Sequence, residues 1–317
     1  MTHDTRAVSL QRGESVSGSP RPRGKRMKTV ATRSRLIFGL PAGLAIALML
    51  IYPLCLLVSM SFHTVSAGTL NQSWPFAGLD NFTELFSSKD LPGVILNTLL
   101  FVIIVTVVAT LGGLGAALVL RTKSFGASLL LALMVFVWAL PPVVNGSIWK
   151  FLLADKGLLN AILTSLGLVD SGVPFLYNPD IALFSVALVT SWSQIPFNAL
   201  MFRSALLAVD QEVLEAASVD GARPSQEIRY ILLPAVRPTA MVLGILTIVY
   251  AFRSFDFIFV MTSGGPGTAT TTLPFLSYQQ SFIRYDYGLG SATSVIGLVV
   301  VLVIGLYYAW DTSRKEA

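Results

Sequence analysis

The chain has 317 residues, of which 54% are hydrophobic and 12% are charged. An average soluble domain carries about 25% charged residues, so this composition excludes an ordinary water-soluble globular protein. The single cysteine, Cys55, excludes an internal disulfide, and neither His3 nor His63 has a second ligand at metal-binding spacing. A formal charge of +5 would suit nucleic-acid binding in a soluble chain. Here the basic residues are distributed according to the side of the membrane, so we expect no nucleic-acid partner.

The N-terminal segment, residues 1–35, holds nine Lys and Arg residues among Ser, Gly and Pro, without apolar periodicity. That composition predicts a disordered basic cytoplasmic tail. The apolar run from Leu36 to Met60 is longer than the apolar stretch of about 7 to 15 residues in a secretory signal peptide. We therefore expect an uncleaved first transmembrane helix over residues 36–62.

Long apolar blocks recur along the whole chain, and about 20 apolar residues match the hydrocarbon core of a bilayer, which is roughly 30 Å thick. The sequence predicts an all-α membrane protein with a core of five further spans at 94–310 and a cytoplasmic tail at 311–317. Pro141, Pro142 and Pro196 interrupt these blocks, either as tolerated kinks or as breaks that line a polar path. The six predicted spans are Leu36 to Met60, Val94 to Leu120, Ser128 to Trp149, Ile181 to Phe202, Pro238 to Met261, and Gly290 to Trp310.

The distribution of Lys and Arg predicts the orientation. Alternate sides of the six-span arrangement receive seventeen and four of the 22 basic residues, and Arg253 stays inside a span. Because basic residues are enriched in cytoplasmic loops, both termini are expected in the cytoplasm of a bacterial inner membrane protein.

The loop between the fourth and fifth spans, residues 210–234, has the most informative spacing. Asp210 is a good N-cap, and Gly221 permits a sharp change of direction. Pro224 suits the first turn of a second helix, and Pro234 is expected to end it. The pattern predicts a helix-turn-helix on the cytoplasmic face, whose specified residues are Glu215-Ala216-Ala217, Gly221, Ile231 and Leu233-Pro234.

That spacing reproduces the EAA motif, E-A-A-x3-G-x9-I-x-L-P, so the chain resembles the permease subunits of ABC importers. The resemblance implies the type I permease fold and a coupling helix that docks on an ATPase subunit. The residues that it assigns to coupling are Glu215, Ala216, Ala217, Asp220 and Gly221. A surface loop that merely joins two spans is the alternative interpretation.

Other segments are similar to the sugar-uptake permeases related to the maltose system, which implies a carbohydrate substrate. They are Gly78 to Phe82, Pro141 to Trp149, Gly157 to Asn160, Phe255-Asp256 with Thr262 to Gly267, and Tyr287 to Ala292.

A phosphate-binding P-loop is missing from the sequence, since Gly24-Lys25 lacks the required first Gly and the following Ser or Thr. We expect no cofactor on this chain, with ATP and Mg²⁺ bound and ATP hydrolysed by two partner ATPase subunits. The resemblance further implies a second homologous permease subunit and an extracytoplasmic solute-binding protein, besides the surrounding membrane lipid. The chain is thus expected to be a transport subunit and not an enzyme.

Polar side chains within spans are candidates for the substrate path, because polar groups facing lipid are costly. Gln194 and Asn198 share one helical face by their i, i+4 spacing, and Arg253 and Asp256 by their i, i+3 spacing. Arg253 is either half of a structural ion pair with Asp256 or a substrate contact. The full set is Asn145, Trp149, Trp192, Gln194, Asn198, Arg253, Ser254, Asp256, Ser291 and Ser294.

Arg253 leaves the identity of the transported solute open. The alternative to a sugar is an anionic solute, glycerol 3-phosphate or a glycerophosphodiester, which a cationic residue could bind. The alternatives from other classes of membrane protein are an intramembrane enzyme and a channel. An intramembrane enzyme would need a nucleophile with a base or a metal site, and the sequence offers no such cluster. A channel would need no ATPase partner.

Overall fold

The computed structural model describes residues 30–122 and 124–316, and the described chain is helical without a named strand. It divides into two units, Met1–Leu54 and Cys55–Ala317. Residues 1–29 of the predicted tail lie outside the described residues, whereas residues 30–35 belong to the first helix. The helices are α1 Val30–Ser61, α2 Asp80–Ser87, α3 Leu91–Val119, α4 Phe125–Ala139, α5 Pro142–Leu152, α6 Leu158–Ser165, α7 Ala182–Leu207, α8 Gln211–Val219, α9 Pro224–Glu227, α10 Leu233–Arg253, α11 Asp256–Met261, α12 Leu273–Tyr278 and α13 Tyr287–Glu316.

Within the described residues, four helical segments are long and apolar enough to cross a bilayer. The bent pair α4 and α5 brings the number to five if it is one span. The predicted count of six is therefore not confirmed. The four segments are Gly43–Ser61, Leu91–Val119, Pro224–Arg253 and Tyr287–Leu306.

Helix α7 covers the fourth predicted span but is not among those apolar helices. Its middle carries polar side chains that are buried, including Thr190, Gln194 and Asn198. Polar groups that are enclosed by protein avoid the cost of facing lipid. Packing against the rest of the chain thus explains why α7 is less apolar than its neighbours.

The third predicted span, Ser128 to Trp149, is two helices and not one. The direction of the chain changes by 100° between α4 and α5. Leu140 is extended, with φ −67° and ψ 138°, as expected for a residue that precedes a proline. Pro141 and Pro142 follow it, so the chain cannot continue the helix through this point.

The fifth predicted span, Pro238 to Met261, also ends earlier than expected. Helix α10 stops at Arg253, Ser254 is extended with φ −71° and ψ 113°, and α11 begins at Asp256. The short α11 packs on α5, where Lys150 Nζ donates to the carbonyl of Val260 at 2.9 Å.

The centre of the described fold is the packing of α3 on α7, which lie side by side in the same direction. Phe101 and Val105 of α3 join Val186 in one apolar cluster, while Ala117 joins Phe202 in another further along both helices. Helix α10 contacts both α3 and α7. The second cluster, completed by Leu206, Leu232, Val236 and Leu243, supports the loop that carries the EAA motif.

Candidate functional site

The EAA loop forms a helical hairpin made of α8, a short turn at residues 220–223, and α9. Helix α8 has no buried residue. Glu215 and Ala216 are exposed and Ala217 is half-buried. Ala side chains keep the surface of the helix low, so the backbone of another protein could approach closely.

Two sequence predictions describe the start and the turn of this hairpin. Asp210 occupies the N-cap position, and its carbonyl accepts from Val213 N–H at 3.2 Å, but its carboxylate makes no capping hydrogen bond. Asp220 is the C-cap of α8, and Gly221 follows with φ +78°. That left-handed conformation favours glycine, so the sharp turn predicted at Gly221 is confirmed.

The prediction that Pro234 ends the second helix is wrong. Pro224 does open α9, but the chain stays helical through a π-helical segment, Ile228–Leu232, into α10. Leu233 N–H donates to Ile228 O, a wider i→i−5 bond. Pro234 sits at the start of α10, where its missing N–H and fixed φ are tolerated.

The hairpin contacts the helices beneath it through apolar and ionic contacts. Leu214 of α8 and Ile228 after α9 pack on the apolar cluster that contains Ala117, Phe202 and Leu232. Arg121, just after α3, lies 2.7 Å from Glu227 of α9, measured from Nη2 to Oε1.

A further bond joins the same ends of α3 and α7. Arg203 Nε of α7 donates to Leu120 O at 2.8 Å. The C-terminal end of α3 also favours a nearby cation through the helix dipole. A cavity of about 700 Å³ opens beside α8 and is lined by Arg121, Glu227, Glu215, Leu206, Val209 and Leu214.

Five of the predicted substrate-path residues are buried inside the described chain: Asn145, Gln194, Asn198, Ser254 and Ser291. Asn145 of α5 donates from Nδ2 to Val137 O at 3.2 Å, across the break after α4. Asn198 donates to Gln194 O at 3.2 Å and accepts from Thr247 Oγ1 at 3.4 Å. Gln194 and Asn198 therefore lie one turn apart on α7, as predicted, and Asn198 also connects α7 to α10.

Arg253 and Asp256 do not share a helical face, which corrects the prediction from their spacing. The helix ends between them at Ser254, which is buried. Arg253 is exposed and Asp256 is half-buried. Among the described residues the one ion pair joins Arg121 and Glu227, so the alternative of a structural ion pair between Arg253 and Asp256 is not formed.

Arg253 lines a cavity of about 450 Å³ between the end of α10, α12 and α13. Ser277 and Ser294 line it as well, and their hydroxyl oxygens are 2.5 Å apart. Ser291 is buried on α13. Ser294 belongs to the predicted set and Ser277 does not, because no local pattern in the sequence links α12 to Arg253.

The two tryptophans of the predicted set contact each other. The rings of Trp149 and Trp192 are 5.3 Å apart in a T-shaped arrangement. They line an apolar cavity of about 280 Å³ together with Leu153, Leu159, Phe175 and Val189. The predicted residues thus do not form one site on this chain: Arg253 and Ser294 line one cavity, and Trp149 and Trp192 line another.

Residues 109–314 match the family described as binding-protein-dependent transport system inner membrane component. The match includes α7, the whole EAA hairpin, α10 and most of α13. The chain belongs to this family. It is therefore a membrane component of a solute transport system, as the motif and the apolar blocks predicted.

Named relatives of this inner membrane component are permease proteins. The trehalose/maltose transport system permease protein MalF of Thermococcus litoralis is 34% identical over 235 residues, covering 74% of this chain and 79% of that protein. The sn-glycerol-3-phosphate transport system permease protein UgpA of Agrobacterium fabrum is 34% identical, covering 72% and 78%. The sulfoquinovosyl glycerol transport system permease protein SmoG of Agrobacterium fabrum is 31% identical, covering 87% and 89%.

The fold matches a solved structure of a bacterial ABC transporter that imports the acidic polysaccharide alginate. The TM-score is 0.78 at 23% identity, covering 92% of this chain and 99% of the other. The predicted all-α importer permease fold is thereby confirmed, whereas the predicted count of six spans is not.

Proposed function

We propose that this chain is a permease subunit that forms half of the translocation path of an ATP-driven importer for a sugar. The observation that carries the proposal is the exposed EAA hairpin with its motif residues on α8 and in the turn. A partner ATPase subunit would dock there, with Glu215, Ala216, Ala217, Asp220 and Gly221 at the contact. ATP and Mg²⁺ would be bound by two such partners and not by this chain.

The remaining partners follow from the family. A second, homologous permease subunit would complete the path, and an extracytoplasmic binding protein would deliver the solute. Both termini would lie in the cytoplasm, since seventeen of the 22 basic residues are on that side of the predicted arrangement. Support for a sugar cargo comes from the relative that bears the name of a trehalose/maltose permease.

Arg253 supports a second candidate cargo, an anionic glycerol phosphate ester. Arg253 lines a cavity with Ser277 and Ser294, and the described residues provide it with no carboxylate partner in an ion pair. A guanidinium binds a phosphate with charge-assisted hydrogen bonds, which are stronger than those to a neutral hydroxyl. A relative named for sn-glycerol-3-phosphate transport points the same way.

The test is uptake by the complete complex in proteoliposomes, with the binding protein present and radiolabelled maltose, trehalose or glycerol 3-phosphate as solute. We expect uptake to require ATP, the ATPase subunits and the binding protein. Uptake that continues without ATP or without the ATPase subunits would show a channel instead.

The variant Arg253→Gln separates the two cargoes in the same assay. Since a hydrogen bond to a charged group contributes about 1.5–3 kcal/mol, an anionic solute should lose roughly tenfold or more in initial uptake rate. A neutral sugar should lose less than about threefold, because Gln still offers hydrogen bonds. Arg284→Gln removes an exposed cation elsewhere and serves as the matched control.

A further inference from the structure

The ion pair between Arg121 and Glu227 joins two parts of the chain that are far apart in sequence. Arg121 follows α3, and Glu227 is the last residue of α9. Their side chains are 33% and 20% exposed, so solvent screens the pair less than it would screen a pair on an open surface.

Glu227 has the Arg121 guanidinium as its ionic partner. Its Oε1 is shielded from solvent and makes no hydrogen bond of good geometry with the described residues, so the guanidinium 2.7 Å away balances it. Removing the counter-charge from a partly buried carboxylate is unfavourable, so the ion pair stabilises the position of α9 beside the end of α3.

The two arms of the hairpin are held differently. Neither α8 nor α9 has a buried residue; α8 contacts the apolar cluster through Leu214, and a cavity of about 700 Å³ opens beside it. Glu215 of the motif and the pair of Arg121 and Glu227 line that same cavity. Arm α9, in contrast, is bound ionically to the end of α3 and continues directly into α10.

We propose that Arg121 and Glu227 are positioning residues that hold α9 to α3, so that displacement of α8 by the ATPase is transmitted to the packed pair α3 and α7. The space beside α8 lets that arm move. The ion pair makes α9 the fixed side, and Arg203 holds the end of α3 to α7 through Leu120 O. The inference rests on the proposed function, since it assumes that an ATPase docks on α8.

The test uses the complete complex in proteoliposomes with a charge-reversal cycle, Arg121→Glu, Glu227→Arg and the double variant. Each single reversal places like charges together. We expect normal amounts of assembled complex, continued ATP hydrolysis, and a fall of at least about fivefold in solute molecules imported per ATP hydrolysed. The double reversal restores the opposite charges, and the ratio should return to within about twofold of wild type.

Two further variants complete the design. Glu227→Gln keeps the shape and removes the charge, so it should give an intermediate ratio even if the reversals assemble poorly. Arg237→Glu makes the same charge change at an exposed position of α10 and should leave the ratio unchanged.

The inference would be overturned by a normal ratio of solute imported to ATP hydrolysed in both single reversals and in Glu227→Gln. It would also be overturned if the double reversal failed to restore that ratio, or if it restored only the amount of assembled complex. If the wild-type complex itself takes up no solute or binds no ATPase, the proposed function fails, which is a different result.

Discussion

Single residues decide how closely α3 can approach α7. A Cβ atom added to Gly113 would come within 2.4 Å of Asn198 Cβ and 3.0 Å of the backbone nitrogen of Ala199. Because real Cβ contacts are not that short, any side chain at this position must push the helices apart. Asn198 in turn accepts from Thr247 of α10, so one glycine supports a contact among three helices.

The variant Gly113→Ala should therefore destabilise the complex, although Ala is the better helix former. Overpacking in a tight interior costs about 1–3 kcal/mol, which should lower the thermal midpoint of the purified complex by several degrees. Gly115→Ala is the matched control on the same helix, since a Cβ there meets nothing within 4 Å. It should be neutral or stabilising by about 0.5–1 kcal/mol. Equal midpoints for the two variants would contradict the packing argument.

At the scale of elements, the hairpin of α8 and α9 combines an exposed arm with a defined turn. The turn depends on Gly221 at φ +78°, a conformation that proline cannot adopt because its ring fixes φ near −65°. Helix α9 passes through the π-helical segment into α10 without a break. A change in the direction of the hairpin would thus act on a long helix and not on a loose connection.

We expect Gly221→Pro and Glu215→Lys to abolish uptake while the binding protein keeps its affinity for solute, because the change would affect the proposed ATPase contact and not the solute site. The measurements are initial uptake rate and ATP hydrolysis stimulated by the loaded binding protein. Gly221→Asn is the control for the turn, since Asn tolerates a positive φ, and it should retain much of the uptake. Wild-type uptake and stimulation in both disruptive variants would count against the coupling assignment.

At the scale of the whole molecule, the basic residues are arranged for one orientation in the membrane. Seventeen of the 22 Lys and Arg residues fall on one side of the predicted arrangement and four on the other. In that predicted arrangement the EAA hairpin lies on the basic side, where an ATP-hydrolysing partner would have access to cytoplasmic ATP.

Cysteines placed at Ser15 and Ser313, in a variant without Cys55, should test this orientation. In right-side-out membrane vesicles, both should react with an impermeant thiol reagent only after the membrane is opened. A cysteine at Ser165, which is exposed on α6 on the predicted outer side, should react in sealed vesicles. Labelling of the first two positions in sealed vesicles would reject cytoplasmic termini.

Composition and short-range spacing were enough to predict the class of protein, the family and the turn of the hairpin at Gly221. Block length and charge are properties of composition, and the turn at Gly221 depends on backbone preferences within a few residues. The tertiary structure was needed wherever a helix boundary or a partner depends on distant segments. Pro234 predicted a helix end, but the chain continues through a π-helical segment into α10. The spacing of Arg253 and Asp256 predicted a shared helical face, but the helix ends between them at Ser254.

Contacts between distant parts of the chain could not be predicted from spacing. The helical i, i+4 rule links Gln194 with Asn198, but no periodicity joins Arg121 to Glu227 or Arg253 to Ser277. Those neighbours exist because α3, α7, α10, α12 and α13 pack together, and packing depends on the shapes of side chains that are distant in sequence. The sequence therefore specified which residues were polar within apolar helices, and only the packing of those helices decided which of them meet.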